Sequence, residues 1–401
     1  MVNQGVLKVL LQLNQLPADP ASGAARSMLT IAEMLAADGD QFEVHALGTS
    51  ASESATPLAL GQYFQQQGIV ARESVFAGRR VYRYTHRKVR TTLLDTGPVL
   101  PMVGEKQHAL TYDGLFGQML RRQKIEIVLT YGGHAEAQRR RRMAREQGCK
   151  VVFGLRNWGY LAPGAFVDCD AILTATQFVT DRYRRVLGIA STPIPLPMEA
   201  GDVVADKQER IFVTAINPSP EKGLFFLIRL LEELATRRPD IPVLIIESRG
   251  NAGQLRSAAE RLGIDLARHE SIMLSPGVAK PRDIYAVTRL LLMPSVWEEP
   301  AGRVAVEAMM NGIPPLVSDR GGLPETVGAG GIVLGIPAHV TAEARSLPGR
   351  EDVAPWLEKI LELTDDARLY ERACAAARAG AVRYEAARVM PQLQAFFRGV
   401  R

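Results

Sequence analysis

The chain has 401 residues and a mass of 43.9 kDa, a length that fits about two to three domains. With 47% hydrophobic and 23% charged residues, long disorder is excluded. No run of about 18 apolar residues offers a membrane span. Three cysteines, Cys149, Cys169 and Cys374, have no C-x-x-C spacing and exclude a disulfide framework or a cysteine zinc site. The formal net charge is +5, with 23 Lys and Arg against 17 Asp and Glu through residue 200 and a nearly neutral remainder. This excess lacks aromatic interleaving, which argues against nucleic acid and leaves an anionic acceptor or a membrane surface as its partner.

The first half reads as strands over Val6–Leu13, Phe42–Gly48, Ile69–Phe76, Ile125–Tyr131, Val151–Leu155 and Ala171–Thr174. Lys8 and Gln12 interrupt the first run, so it resembles a buried strand rather than a signal peptide. Between the first two strands, Met28, Leu29, Ala32, Leu35 and Ala36 recur at helical spacing. Strand, helix and strand in that order imply a parallel sheet. The run Arg139-Arg140-Arg141-Arg142 falls on a helix, where a charge run is usually a solvated face. Contact with anionic lipid is the alternative.

Ile194-Pro195-Leu196-Pro197-Met198 is too rich in proline for a helix and reads as a linker. Beyond it the alternation restarts. Strands are expected over Ile211–Ile216, Val243–Glu247, Leu290–Pro294, Pro315–Ser318 and Gly331–Leu334. Helices are expected over Leu224–Leu234, Ala252–Leu262, Arg282–Thr288 and Val304–Asn311, then over Trp356–Leu363, Asp366–Ala381 and Tyr384–Phe397. The fold class is therefore α/β, with two Rossmann-like parallel-sheet domains facing a cleft and a C-terminal helix. The expected bounds are 1–197, 198–382 and 383–401.

Two loops at the carboxyl ends of strands carry most of the chemistry. In Pro294-Ser295-Val296-Trp297-Glu298-Glu299-Pro300-Ala301-Gly302-Arg303 a strand ends and a helix begins. The free amides and dipole of that helix suit a diphosphate, and Gly302 lets the backbone approach a ligand. Glu307 lies in an almost wholly apolar helix and needs a partner. Ribose hydroxyls are one partner; Arg303, four residues earlier, is the other. Glu299 lies in the loop, has no such packing reason, and is the better candidate for direct sugar contact. In Asn217-Pro218-Ser219-Pro220-Glu221-Lys222-Gly223, Lys222 opens a helix, where lysine is disfavoured unless it neutralises an anion such as a leaving phosphate. The turn Gly321-Gly322 reads as a tight turn or an anion nest.

Glu299-x7-Glu307 with Gly302, Pro294-Ser295 upstream, Gly312-Ile313-Pro314 and Gly321-Gly322-Leu323-Pro324-Glu325 downstream, and Pro220-Glu221-Lys222-Gly223 before them resemble retaining GT-B glycosyltransferases of the glycosyl transferases group 1 family, sucrose synthases and bacterial mannosyl- and glucosyltransferases among them. The resemblance is specific over about residues 211–335. It implies a hexosyltransferase using a nucleoside diphosphate sugar as co-substrate, with retention of anomeric configuration, no metal and no other cofactor. On that basis Glu299 contacts the donor sugar, Glu307 the ribose and Lys222 the diphosphate, with Glu299, Lys222 and His134 as catalytic candidates.

Asn217 stands where the family usually has an arginine, leaving Arg303 to substitute or activity to be weak or lost. Gly23, in Pro20-Ala21-Ser22-Gly23, is similar to a glycine of the family's N-terminal loop. His134, in Tyr131-Gly132-Gly133-His134, is similar to its histidine near the reacting sugar, or is a polar surface residue. Arg156-Asn157 stand where members of the family often have His-Asn, so the resemblance implies contact with an acidic acceptor; the other reading is that they simply end a strand. The acceptor class is a glycan, a lipid-linked glycan or a small molecule. The expected location is the cytoplasm, with peripheral contact at the inner membrane face as the alternative. Rival readings are a catalytically silent sugar-nucleotide-binding subunit and a GT-B epimerase; a phosphorylase would need a pyridoxal lysine that nothing singles out.

Overall fold

The computed structural model describes residues 5–19, 21–54, 59–196, 198, 200–247, 254–275 and 280–401. Pro20, Pro197 and the first two residues of the expected 252–262 helix lie outside them. The chain divides into two compact units, Met1–Pro197 with Ala386–Arg401, and Met198–Glu385.

The first unit begins with β1 (Leu7–Gln12), α1 (Gly23–Ala37) and β2 (Phe42–Thr49). The two strands pair in parallel from Leu7 opposite Phe42. Their nearly unbroken burial fits strands covered on both faces. In α1, Met28, Ile31, Ala32 and Leu35 are fully buried, and Ser22 caps the helix by accepting from the Ala25 amide. Next come α2 (Leu60–Gln66), β3 (Arg72–Phe76), β4 (Arg79–His86), β5 (Val89–Leu94) and α3 (Pro101–Gln123). The chain continues through β6 (Ile127–Thr130), α4 (Ala135–Glu146), β7 (Lys150–Gly154), β8 (Ala171–Thr174), α5 (Gln177–Leu187) and β9 (Thr192–Pro193). The sheet runs β3-β4-β5-β2-β1-β6-β7-β8-β9. It is parallel except that β4 is antiparallel to both β3 and β5. The β4–β5 hairpin escapes the sequence pattern because Arg79, Arg80, Arg83 and Arg90 interleave with its buried residues.

The second unit holds α6 (Ala200–Val203), β10 (Phe212–Ile216), α7 (Leu224–Arg237), β11 (Val243–Ile246), α8 (Gln254–Arg261), β12 (Ile272–Ser275) and α9 (Pro281–Val287). Then follow β13 (Thr288–Met293), α10 (Arg303–Met310), β14 (Pro315–Ser318), α11 (Leu323–Val327), β15 (Ile332–Leu334), α12 (Arg350–Asp365) and α13 (Ala367–Ala381). The sheet order is β12-β11-β10-β13-β14-β15, parallel throughout. Phe226 of α7 meets the buried Trp356 of α12 edge-on at 5.6 Å.

The last helix, α14 (Ala386–Val400), buries Val389, Leu393 and Phe397 in the core of the first unit. It starts later than the expected Tyr384. Val382–Tyr384 is a 3-10 turn whose Tyr384 hydroxyl donates to the Thr326 carbonyl at 2.8 Å, holding that turn in the second unit. The run Arg139–Arg142 is not a uniformly solvated face. Arg140 and Arg141 are each 1% exposed, because the carboxylates of Glu105 and Asp113 and a set of carbonyls receive their guanidinium groups.

Candidate functional site

In the second unit, the loops after β10, β13 and β14 converge at the carboxyl ends of three adjacent strands. Gly223, the residue before α7, has φ +82°, and a Cβ there would lie 1.9 Å from the Pro294 carbonyl oxygen. Only glycine allows this approach of the two loops. It brings the Val296 and Trp297 amides onto the Glu221 carbonyl at 3.0 and 3.3 Å. The third loop docks the same way. Gly321 has φ +64°, and a Cβ there would lie 2.4 Å from backbone atoms of Glu299. The Gly322 amide donates to the Glu299 carbonyl at 2.6 Å. That amide is therefore committed to a protein carbonyl, which favours the tight-turn reading of the paired glycines over the anion nest. Ser318 completes the junction, donating its hydroxyl to the Ser295 carbonyl at 2.7 Å.

At the centre the Lys222 ammonium donates to Glu299 Oε1, which also accepts from the Ser295 hydroxyl at 2.8 Å. Glu299 is 4% exposed. The expectation that it lacks a packing reason is thus corrected: its carboxylate is buried and needs the lysine charge. Both protein partners sit on Oε1, and among the described residues none is seen on Oε2. The ammonium also lies 5.7 Å from the centre of the Trp297 ring, whose buried Nε1 has no partner among the described residues.

Glu307 contrasts with this. It is buried, Arg303 donates Nε to its Oε1 at 2.9 Å, and the Tyr285 hydroxyl donates to its Oε2 at 2.8 Å. Arg303 is one of the two partners weighed from the sequence, and Tyr285 was not foreseen. A carboxylate oxygen still keeps a second lone pair for another donor. Arg303 is the first residue of α10 after Gly302, and its Nη1 is buried without a partner among the described residues. The close approach at Gly302 is to Leu323 of α11, whose Cδ2 would lie 2.6 Å from an added Cβ, so the missing side chain serves packing as well as any ligand. Asn217 adopts φ +59°, the left-handed region that asparagine tolerates better than most side chains, and its amide donates to the Ile246 carbonyl at 2.7 Å.

In the first unit the sequence-derived candidates occupy loops at the carboxyl ends of β6 and β7 and the start of α1. Gly23 opens α1 and is exposed. The loop before it is held by buried Asp19, which accepts from the amides of Ala21 and Glu53 and from the Ser52 hydroxyl at 2.7–3.0 Å. His134 precedes α4, with Nε2 2.6 Å from Glu105 Oε2. Glu105 also meets Arg140 and accepts from Asn14 at 2.9 Å. Burial pushes the Glu105 carboxyl up, but His134, Arg140 and Asn14 together hold it down to about 2. His134 is thus braced by a buried carboxylate and is more than a polar surface residue. Arg141 fixes the same loop, donating to the carbonyls of Gly132, Ala165 and Val167 at 2.6–2.9 Å.

Arg156 follows β7 with Nε and Nη1 buried and unpartnered among the described residues, and burial alone pulls its guanidinium down to about 10. Asn157 turns its Oδ1 onto the Gly159 amide at 2.9 Å, closing a turn. Sequence reasoning missed Glu105, Asp19 and Tyr285. Glu105 and Tyr285 sit inside helices without a local motif, and each meets its partner across a large sequence separation. No three His, Cys, Asp or Glu side chains gather for a metal among the described residues. No helix among them is long and apolar enough to cross a membrane.

Residues 199–378 match the family described as glycosyl transferases group 1. This segment contains every element of the Lys222–Glu299 cluster. A D-inositol 3-phosphate glycosyltransferase of Corynebacterium aurimucosum is 30% identical over 217 residues, 52% of this chain and 43% of that one. Spore coat protein SA of Bacillus subtilis is 30% identical over 116 residues, 28% of this chain and 31% of that one. The matches thus span less than half the length of these curated relatives. Among solved structures, a glycosyltransferase from Rickettsia africae superposes with a TM-score of 0.67 at 13% identity, covering 98% of both chains. Anabaena HepE in complex with UDP-glucose gives 0.66 at 16% identity, covering 98% and 99%. These likenesses establish the fold as GT-B, with two Rossmann-like units and a terminal helix that returns to the first.

Proposed function

We propose that the protein is a retaining, metal-independent hexosyltransferase that moves a sugar from a nucleoside diphosphate sugar to an acceptor. The observation that carries the reading is the Lys222–Glu299 pair, a half-buried cation and a buried carboxylate joined from loops 77 residues apart. Lys222 has two further N–H donors beyond the one given to Glu299. They are the groups to neutralise the diphosphate as its bond to the sugar breaks, assisted by the amide end of α10. The spare Nη1 of Arg303 supplies a second cationic donor, in place of the arginine that the resemblance expects at Asn217. Glu299 Oε2 is the acceptor for a donor-sugar hydroxyl, and Glu307, oriented by Arg303 and Tyr285, for the ribose. Gly23 stands at the start of α1, where backbone amides favour an anion.

His134, braced by Glu105, is the candidate in the first unit for the reacting sugar. Arg156 is the candidate for the acceptor, and its buried Nε and Nη1, unpartnered among the described residues, favour an anionic one, with Asn157 shaping the adjacent turn. The curated D-inositol 3-phosphate glycosyltransferases make a phosphorylated polyol the first acceptor to try. The complex of HepE with UDP-glucose makes UDP-sugars the first donors. A cytoplasmic location accords with a soluble nucleotide-sugar donor.

The test is a thermal-shift series with nucleoside diphosphates and their sugars, with and without EDTA, followed by turnover assays on the best donor. The expected result is stabilisation by one nucleotide, unchanged by EDTA, and transfer with retained configuration. Stabilisation that disappears on chelation would remove the metal-free reading, and binding without transfer to any acceptor would favour a silent subunit.

A further inference from the structure

The first unit carries a second cationic feature that the proposed transfer does not use. A cavity of about 690 Å³ opens between the last turns of α3 and the strands β2 to β5, a volume in the range of small-molecule sites. Arg72, Arg83 and Arg90 line it from the strands, Arg122 from α3 and His45 from β2. The register puts these strand residues on one face. Arg72 lies directly opposite Arg83, Arg83 opposite Thr92, and Arg90 opposite His45. Like charges directly opposite one another destabilise a sheet, so a row of this kind calls for a counter-anion.

The chain itself supplies little of one. Glu43 accepts from Arg90 at 2.5 Å, and Arg83 donates to the neutral Ser74 hydroxyl at 2.5 Å. Arg72 and Arg122 have no ion pair or hydrogen bond among the described residues, and no carboxylate lines the cavity. Three guanidinium groups thus face the cavity without a carboxylate. Planar, always-charged forks of this kind fit phosphate oxygens in pairs. The cavity lies along the amino-terminal half of β5, whereas the loops that carry His134 and Arg156 leave the carboxyl ends of β6 and β7.

We propose that this arginine-lined cavity is a binding site for a phosphate-bearing anion, an organic phosphate or diphosphate, separate from the donor and acceptor groups. Inorganic pyrophosphate is the probe, titrated by calorimetry into the full chain carrying Lys222→Ala, which weakens the donor-phosphate group. In that background the site binds pyrophosphate, and binding weakens at least tenfold on adding Arg72→Gln with Arg122→Gln. Both residues are exposed, so circular dichroism should show an unchanged fold; Arg83→Gln alone, which relieves the Arg72 repulsion, serves as the second variant and weakens binding without lowering Tm.

A second arm sediments the protein with phosphatidylcholine vesicles containing phosphatidic acid. Vesicle binding that depends on the same arginines assigns the phosphate to a lipid headgroup, and its absence beside pyrophosphate binding assigns a soluble ligand. The proposal is overturned if neither pyrophosphate nor vesicle binding responds to the arginine substitutions, or if the Lys222→Ala chain binds neither.

Discussion

Lys222→Ala tests whether the two loops of the candidate site act as one unit. The substitution removes the cation from a carboxylate whose side chain is 6% exposed and keeps only the Ser295 hydroxyl on Oε1. Breaking a buried pair from one side costs about 3–5 kcal/mol. Lys222 is itself 29% exposed, so water replaces part of the lost interaction, and about 2 kcal/mol is expected. Glu299→Gln keeps the shape and removes the need for a cation, so it should cost about 1 kcal/mol. In the double variant the uncompensated charge is gone, and its loss should fall short of the sum of the two single losses by about 1–2 kcal/mol. Urea denaturation with a shared m-value measures all four corners of this cycle. Turnover by Lys222→Ala should fall about 10²-fold, the usual loss of one preorganised charge at a developing oxyanion. Additivity within about 0.5 kcal/mol would show that the two side chains do not couple, and the reasoning from their contact would fail.

Glu105 supplies a pH prediction. Its folded-state value of about 2 lies below the ordinary carboxylate value near 4.3, so it contributes stability above that ordinary value and loses it as pH falls towards 2. The contribution is roughly 3 kcal/mol, and the acid limb of denaturation between about pH 4.5 and 2 should be shallower in Glu105→Gln; parallel limbs would remove Glu105 from the acid response. The two glutamates of the second unit should also separate by ligand. Calorimetry should find bare nucleoside diphosphate binding weakened in Glu307→Gln and nearly intact in Glu299→Gln, with the full donor weakened by Glu299→Gln. Equal losses for the bare nucleotide would refute the division between ribose and sugar.

The parallel sheets were legible because their central strands are short apolar runs, as in Val243–Ile246, bounded by helical periodicity. The β4–β5 hairpin was not, since Arg79, Arg80, Arg83 and Arg90 leave no apolar run to notice. β12 was missed for a related reason. It is a four-residue edge strand with Met273 49% exposed, and an edge needs less apolar cover. In the site, Lys222, Glu299 and Arg303 could be picked out because each sits beside a strand-to-helix transition, and Glu307 because it is a carboxylate inside an apolar helix. What could not be read was which charges meet. The Lys222–Glu299 contact depends on Gly223 admitting the Pro294 carbonyl, and the bracing of His134 depends on Glu105 from a different helix. Such pairings are set by backbone packing and leave no local pattern.

The occupancy of the two carboxylates gives the site an internal logic. Glu307 has a protein donor on each oxygen, so its carboxylate is held in place and its charge is offset by Arg303 within the protein. Glu299 has both donors on one oxygen and leaves the other open. A group that must discriminate among sugar hydroxyls benefits from a free acceptor held rigidly, because no protein contact has to break before the ligand's forms. Arg303 links the two functions: Nε is spent on fixing Glu307, and the buried Nη1 is left over. A buried guanidinium N–H without a partner is costly in the empty protein, and a diphosphate oxygen would relieve that cost. On the proposed reading, the cation that the resemblance expects at Asn217 would come instead from Arg303 in the first turn of α10.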